Sequence, residues 1–201
     1  MQIDTIVWDL GGVLIDWNPG YVFTDGYFGS AEKKKFFFEN VCTHDWNENQ
    51  DAGYPLSKAT EELVAKFPEW ESAIRDFYGR WEEMLGGQIE SNVEIFRQLK
   101  QKGGVKFYAL TNWSAELFPV ARQRYYFLQW FDGILVSGEE KTRKPFPDFY
   151  ELLFSRYSVN PAQALFIDDN LRNINAAKEF GLKTILYTTS EKLNADLAEI
   201  F

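Results

Sequence analysis

Cysteine and histidine are nearly missing from this chain, with Cys42 and His44 the lone representatives among 201 residues. One thiol cannot close an intrachain disulfide, so packing must hold the fold, as expected of a protein in a reducing cytoplasm. Cys42 reads as a small core filler rather than a catalytic thiol. No apolar stretch is long enough to cross a bilayer. The N-terminus runs straight into a strand pattern, without the charged, apolar and small-residue succession of a signal peptide. Basic residues are also scarce, 21 against 30 acidic, for a net charge of −9. That balance argues against non-specific contact with nucleic acid or anionic membrane. A small anionic substrate stays open, because local field outweighs total charge. The patch Lys33-Lys34-Lys35 before Phe36-Phe37-Phe38 reads as amphipathic helix, lysines solvated and some phenylalanines in the core. Repeats and low-complexity segments are absent too.

What remains is ordinary globular material, 45% hydrophobic and 25% charged, sized for one medium domain or a core with a smaller insertion. Short β-type runs cover Thr5–Asp9, Val105–Thr111, Gly133–Ser137, Ala164–Asp168 and Lys183–Tyr187. Helical patterns separate most of them, which predicts an α/β fold with a parallel five-stranded sheet. Ser91-Asn-Val-Glu94 has the form of a capping box, with Val93, Phe96 and Leu99 on one face and Gly103 closing the helix. Asn160-Pro161 is a further helix start, and Gly181 stops a helix begun near Leu171. Residues 18–88 differ in texture, rich in aromatics and helix formers such as Ala59–Phe67 and Glu71–Leu85, with Gly86-Gly87 as a flexible return. An inserted small all-helical cap is expected there, with its aromatic stripes as bundle core, and residues 1–17 and 89–201 as the main domain.

Asp9 ends the first apolar run and precedes Leu10-Gly11-Gly12, so a carboxylate sits on a glycine-softened turn at a strand end. Three later segments match it: Ala109-Leu110-Thr111-Asn112, Arg143-Lys144-Pro145 and Phe166-Ile167-Asp168-Asp169-Asn170. Each alone has a plain structural reading as turn former, helix cap or surface charge. All four in order, at strand ends or the loops after them, resemble the motifs of the haloacid dehalogenase-like hydrolase superfamily. The resemblance covers nearly the whole length and implies a Rossmann-like core with a helical cap. The carboxyl edge of such a sheet is the usual ligand site. By that resemblance Asp9 is the nucleophile and forms an aspartyl-phosphate. Thr111 and Asn112 bind phosphate oxygens, and Lys144 holds Asp9 and balances charge on the transferring group.

Charge counting explains why a metal belongs here. Three carboxylates plus a substrate phosphate in one cleft would force protonation of at least one acid. Mg2+, a hard dication, removes the conflict. The resemblance assigns as ligands Asp9, the Gly11 carbonyl and Asp169, with Asp168 acting through water. The expected partner is a small phosphorylated metabolite, sugar phosphates first. Rival readings are a metal-independent haloacid dehalogenase-type hydrolase and a non-catalytic phosphate- or partner-binding protein.

Phosphatases of this family usually carry a second aspartate two residues after the nucleophile, where this chain has Gly11. A leaving group of low basicity, a cap residue, an ordered water or a loss of activity each fit that gap. The stretch His44-Asp45-Trp46-Asn47, then Asp51 and Gly53, resembles the cap loop of bacterial sugar-phosphate phosphatases, so His44 or Asp45 is expected to face the site and to contact substrate. Asp16 and Trp17 mark the hinge into the cap, and Trp113 is a candidate pocket wall. Tyr125-Tyr126-Phe127 is a candidate surface contact.

Overall fold

The computed structural model describes residues 2–201. Five strands form a parallel sheet: β1 (Thr5–Trp8), β4 (Lys106–Thr111), β5 (Gly133–Val136), β6 (Ala164–Asp168) and β7 (Lys183–Leu186), in the order β5-β4-β1-β6-β7. β1 is buried along its whole length, the condition under which a parallel strand reads as a continuous apolar run. Its residues alternate between two cores. Ile6 and Trp8 join one hydrophobic cluster with Phe107 and Leu165, while Val7 faces the other with Leu110 and Phe166. Helices Glu90–Lys102 and Ser190–Ala198 cover the first face through Phe96 and Leu193. Helices Pro147–Tyr157 and Leu171–Glu179 cover the second through Phe149 and Ile174.

Register decides what meets at the sheet's carboxyl edge. Trp8 pairs with Ala109 on one side and Ile167 on the other. Asp9 therefore leaves the sheet between the ends of β4 and β6, beside Thr111 and Asp168. The chain departs from β1 to opposite sides here, and such a switch point opens a crevice for ligand.

A short antiparallel ribbon, β2 (Ile15–Trp17) with β3 (Leu85–Gln88), brackets the inserted helices. The expectation of a flexible Gly86-Gly87 return is corrected: both glycines lie in β3. A Cβ on Gly86 would come within 2.3 Å of the Asp16 carboxylate and 2.8 Å of the Tyr21 ring. Close approach, not flexibility, requires glycine there. Between the ribbon strands the backbone is helical, including His44–Asp51, Leu56–Lys66 and Glu71–Gly79. Phe23, Phe37 and Phe77 of this insertion belong to the same cluster as Trp8. The lysine run is solvated and Phe37 is buried, as the amphipathic pattern requires.

Three other expectations change in detail. The capping box does not form: the helix begins at Glu90 with Ile89 as its cap, and Glu94 instead binds Arg97 and Gln98. Asn160 caps a single 3-10 turn, Pro161–Gln163, that leads into β6. Tyr125 and Phe127 are core residues, 3% and 2% exposed, leaving Tyr126 alone at the surface. Among the described residues, no helix is long and apolar enough to cross a membrane.

Candidate active site

The Asp9 N–H still bonds to the Ile167 carbonyl at 2.8 Å, so sheet hydrogen bonding fixes the backbone up to the carboxylate. Oδ1 accepts from the Leu10 N–H at 2.7 Å and lies 2.9 Å from the Lys144 ammonium. Oδ2 has no such partner among the described residues. The Lys144 ammonium also reaches Asp168 Oδ2 at 2.7 Å, with its side chain fully buried. Asn112 sets the Lys144 backbone from both sides: its Oδ1 accepts the Lys144 N–H at 2.8 Å, and its Nδ2 donates to the Lys144 carbonyl at 3.0 Å. Those bonds make Asn112 the holder of the lysine's loop.

The two acids after β6 are not equivalent. Asp168 is wholly buried, and it accepts from Lys144, from the Asn170 N–H at 2.7 Å and from Asn173 Nδ2 at 3.1 Å on each oxygen. Little acceptor capacity is left to it. Asp169 is exposed and rests on the Gly12 backbone. A Cβ at Gly12 would lie 2.2 Å from Asp169 Oδ2, and Gly12 has φ +74°. Only glycine satisfies both conditions. One oxygen each of Asp9, Asp168 and Asp169 lies within 4.8 Å of the others, close enough to share a cation. Oxygen donors of this kind suit Mg2+, and no backbone donor pairs with the Gly11 carbonyl among the described residues. The residues present fit the metal.

Electrostatics point the same way. Burial raises the Asp9 carboxyl to about 7, with Asp168 and Asp169 adding to the rise and Lys144 opposing it. Burial alone would lower the Lys144 ammonium, but Asp168 and Asp9 outweigh it and hold the group above its ordinary value. Partial desolvation and the Asp168 charge raise Asp169. One lysine does not neutralise three acids; a dication completes the balance.

Thr111, at the end of β4, is fully buried, and its hydroxyl has no hydrogen-bond partner among the described residues. His44 opens helix His44–Asp51 and lines the mouth of the cleft; its Nδ1 is 3.4 Å from Glu48 Oε1, and its side chain is 70% exposed. Asp45 is exposed beside it. Trp113 does line the cleft, as does Trp17, whereas Asp16 binds the Tyr21 hydroxyl at 2.5 Å.

Sequence reasoning overlooked a polar hub on the same helix. Glu48, 6% exposed in its side chain, pairs with Arg143 at 2.9 Å and with Arg172. Asp51 accepts from Asn47 Nδ2 at 3.1 Å, and Asn47 accepts from the Tyr78 hydroxyl at 3.0 Å. Burial raises the Asp51 carboxyl to about 7, Glu48 adds to this, and Arg143 and the Ser114 N–H oppose it. Glu48 and Asp51 stood inside the quoted loop and Arg143 beside Lys144, but no local pattern pairs residues so distant in sequence. Asp9, Lys144 and Asp169 share one cleft of about 670 Å3, between the inserted helices and the sheet edge, with His44, Asn47, Glu48, Asp51 and Tyr78.

Comparison with known proteins agrees with this geometry. The model of the haloacid dehalogenase-like hydrolase family matches residues 3–181. A sesquiterpene phosphatase of Aspergillus oryzae is 28% identical over 92% of this chain and 89% of its own length. The N-acetylmuramic acid 6-phosphate phosphatase of Pseudomonas aeruginosa is 24% identical over 92% of this chain and 81% of its own. A haloacid dehalogenase family enzyme of Bacteroides thetaiotaomicron, solved with magnesium and inorganic phosphate, superposes with a TM-score of 0.69 at 20% identity, covering 92% of this chain and 94% of that one. With the family model spanning most of its length and the four motifs meeting at one sheet edge, the chain belongs to the haloacid dehalogenase-like hydrolases.

Proposed function

We propose that this hydrolase is a magnesium-dependent phosphatase that cleaves a small phosphate monoester through an aspartyl-phosphate on Asp9. In this reading residues 1–17 and 89–201 form the catalytic core and residues 18–88 the cap. The observation that carries it is the convergence of Asp9, Asp168 and Asp169 oxygens within 4.8 Å around one buried lysine. An Asp9 oxygen attacks phosphorus, the ester P–O bond breaks, and water then cleaves the acyl phosphate to release inorganic phosphate. Lys144 keeps Asp9 oriented and ionised and offsets charge on the non-bridging oxygens. Thr111 contributes a hydroxyl that has no partner among the described residues. Asp9, the Gly11 carbonyl and Asp169 would hold Mg2+, with Asp168 behind a water, and the ion would supply charge neutralisation at the transferring phosphoryl group.

The departing alcohol oxygen needs a proton, and Gly11 offers none. Asp51 lines the same cleft as Asp9, and its raised carboxyl is partly protonated near neutral pH, the behaviour a general acid requires. Halide release would need no second carboxylate beside the nucleophile, so the position of Asp169 favours phosphoryl transfer over dehalogenation. Relatives named for a sesquiterpene and for a sugar acid phosphate leave the alcohol open.

The test is phosphate release from an ester panel with and without Mg2+. Turnover should require the metal, stop with EDTA and fall by about a thousandfold or more in Asp9→Asn. Undiminished hydrolysis by that variant would refute the reading.

A further inference from the structure

The cleft's polar side chains are largely spent on one another. Asn112 holds the Lys144 backbone at both ends of its amide. Glu48 is taken by Arg143 and Arg172, with His44 beside it. Asn47 lies between Asp51 and Tyr78, and Asn173 donates to Asp168. A sugar presents a hydroxyl on nearly every carbon, and each buried hydroxyl left unpaired costs binding energy. Few partners stand free to meet them.

Aromatic rings are what the cleft does offer. Trp17, Phe38, Phe77, Tyr78, Trp81 and Trp113 all line it, and they converge from β2, three segments of the insertion and the turn after β4. Trp81 and Trp113 meet edge to face with centroids 5.5 Å apart, so the wall is continuous across insertion and core. Its polar features are sparse, because the indole N–H groups of Trp17 and Trp113 are buried and the Tyr78 hydroxyl is taken by Asn47. The volume of about 670 Å3 falls within the range of roughly 300–1,000 Å3 for pockets that enclose drug-sized ligands.

Building on the phosphatase reading, we propose that the ester's alcohol is a bulky apolar group, a terpenoid or long-chain alkyl, whose carbons lie against this aromatic wall while the phosphate sits at Asp9 and Lys144. Sugar phosphates are poor substrates by the same geometry. The wall binds the leaving group before and after the P–O bond breaks, so it acts on affinity for the alcohol and not on the transfer itself.

Two arms test this. In the first, kcat/KM with Mg2+ is compared for decyl phosphate and glucose 6-phosphate, and the alkyl ester should win by about a hundredfold. Parity, or preference for the sugar, overturns the inference while leaving the phosphatase reading intact. In the second, binding of decylphosphonate and methylphosphonate, neither hydrolysable, is followed by tryptophan fluorescence. Decylphosphonate should bind at least about tenfold more tightly, and Phe38→Asn should erase most of that advantage while sparing methylphosphonate. Equal affinities, or an advantage that survives the substitution, overturn the inference. Because this arm needs no turnover, it decides the matter even if hydrolysis fails and the phosphatase reading falls with it.

Discussion

Gly11 and Gly12 are neighbours with opposite constraints. Gly12 has φ +74° and no room for a Cβ, whereas a Cβ at Gly11 would meet nothing within 4 Å. The acid-base carboxyl missing at Gly11 is therefore absent by sequence and not excluded by space. Gly11→Asp should raise kcat/KM for alkyl phosphates by about tenfold to a hundredfold, a conservative share of what a positioned acid supplies. It should leave p-nitrophenyl phosphate, whose leaving group needs no proton, nearly unchanged. A uniform gain or loss on both esters would show that the new carboxyl is not protonating the leaving group. Asp51 carries a second residue-scale consequence, faced by Glu48, Arg143, Asn47 and the Ser114 N–H. Its folded pKa of about 7 lies above the ordinary 3.8, so between those values the folded state binds more protons than the unfolded one. Its contribution is full below pH 3.8 and is lost as pH rises through 7. Asp51→Asn removes that loss, so the variant's Tm should climb relative to the parent between about pH 4 and 7 and hold level above that. Parallel melting curves across that range would contradict the assignment.

Helix His44–Asp51 shows how one element couples insertion to core. Ser137 Oγ donates to the Asp51 carbonyl at 2.5 Å, and Glu48 on the same helix grips Arg143, in the segment after β5, and Arg172, in the first turn of helix Leu171–Glu179. The Glu48 and Arg143 side chains are 6% and 13% exposed. Removing one partner leaves a buried charge uncompensated. Glu48→Gln should cost about 3 kcal/mol in urea unfolding, and adding Arg143→Met should recover a large part of it. A cost within about 0.5 kcal/mol, typical of a surface pair, would place the hub in solvent. None of this pairing was legible in the sequence, because it joins residues with no local relation. The five sheet strands were legible, since strands buried on both faces appear as apolar runs bounded by turns, as Thr5–Trp8 and Ala164–Asp168 do. Asp9, Thr111 and Asp168 were readable for the same reason, each standing at or just past such an end, whereas Lys144 lies beyond the short helix Ser137–Glu140 that follows β5. The ribbon was not. Ile15–Trp17 is three residues long, and the glycines of Leu85–Gln88 resemble a loop until Asp16 and Tyr21 are seen against them. Ser91 and Glu94 fitted a capping pattern, but Arg97 and Gln98 offered Glu94 nearer partners.

Across the whole molecule, insertion and core are not thermodynamically separable. Phe23, Phe37 and Phe77 share one buried cluster with Trp8, Phe96 and Phe107, so unfolding the insertion alone would bare apolar surface in the cluster it shares with the core. Cooperative units follow shared burial, which predicts one calorimetric transition with matching van't Hoff and calorimetric enthalpies. The metal provides the second half of the test. Three acids close enough to share a cation repel one another without it, and a ligand that binds only the native state stabilises it by mass action. Mg2+ at about a hundredfold its dissociation constant adds about 2.7 kcal/mol, which for a chain of this size moves Tm by roughly 5–10 °C. The single transition should move as a whole, and Asp169→Asn should remove most of the shift by taking away an acid without other duties. Two transitions, with Mg2+ displacing just one, would mean that the cluster joining insertion to sheet does not hold them together in solution.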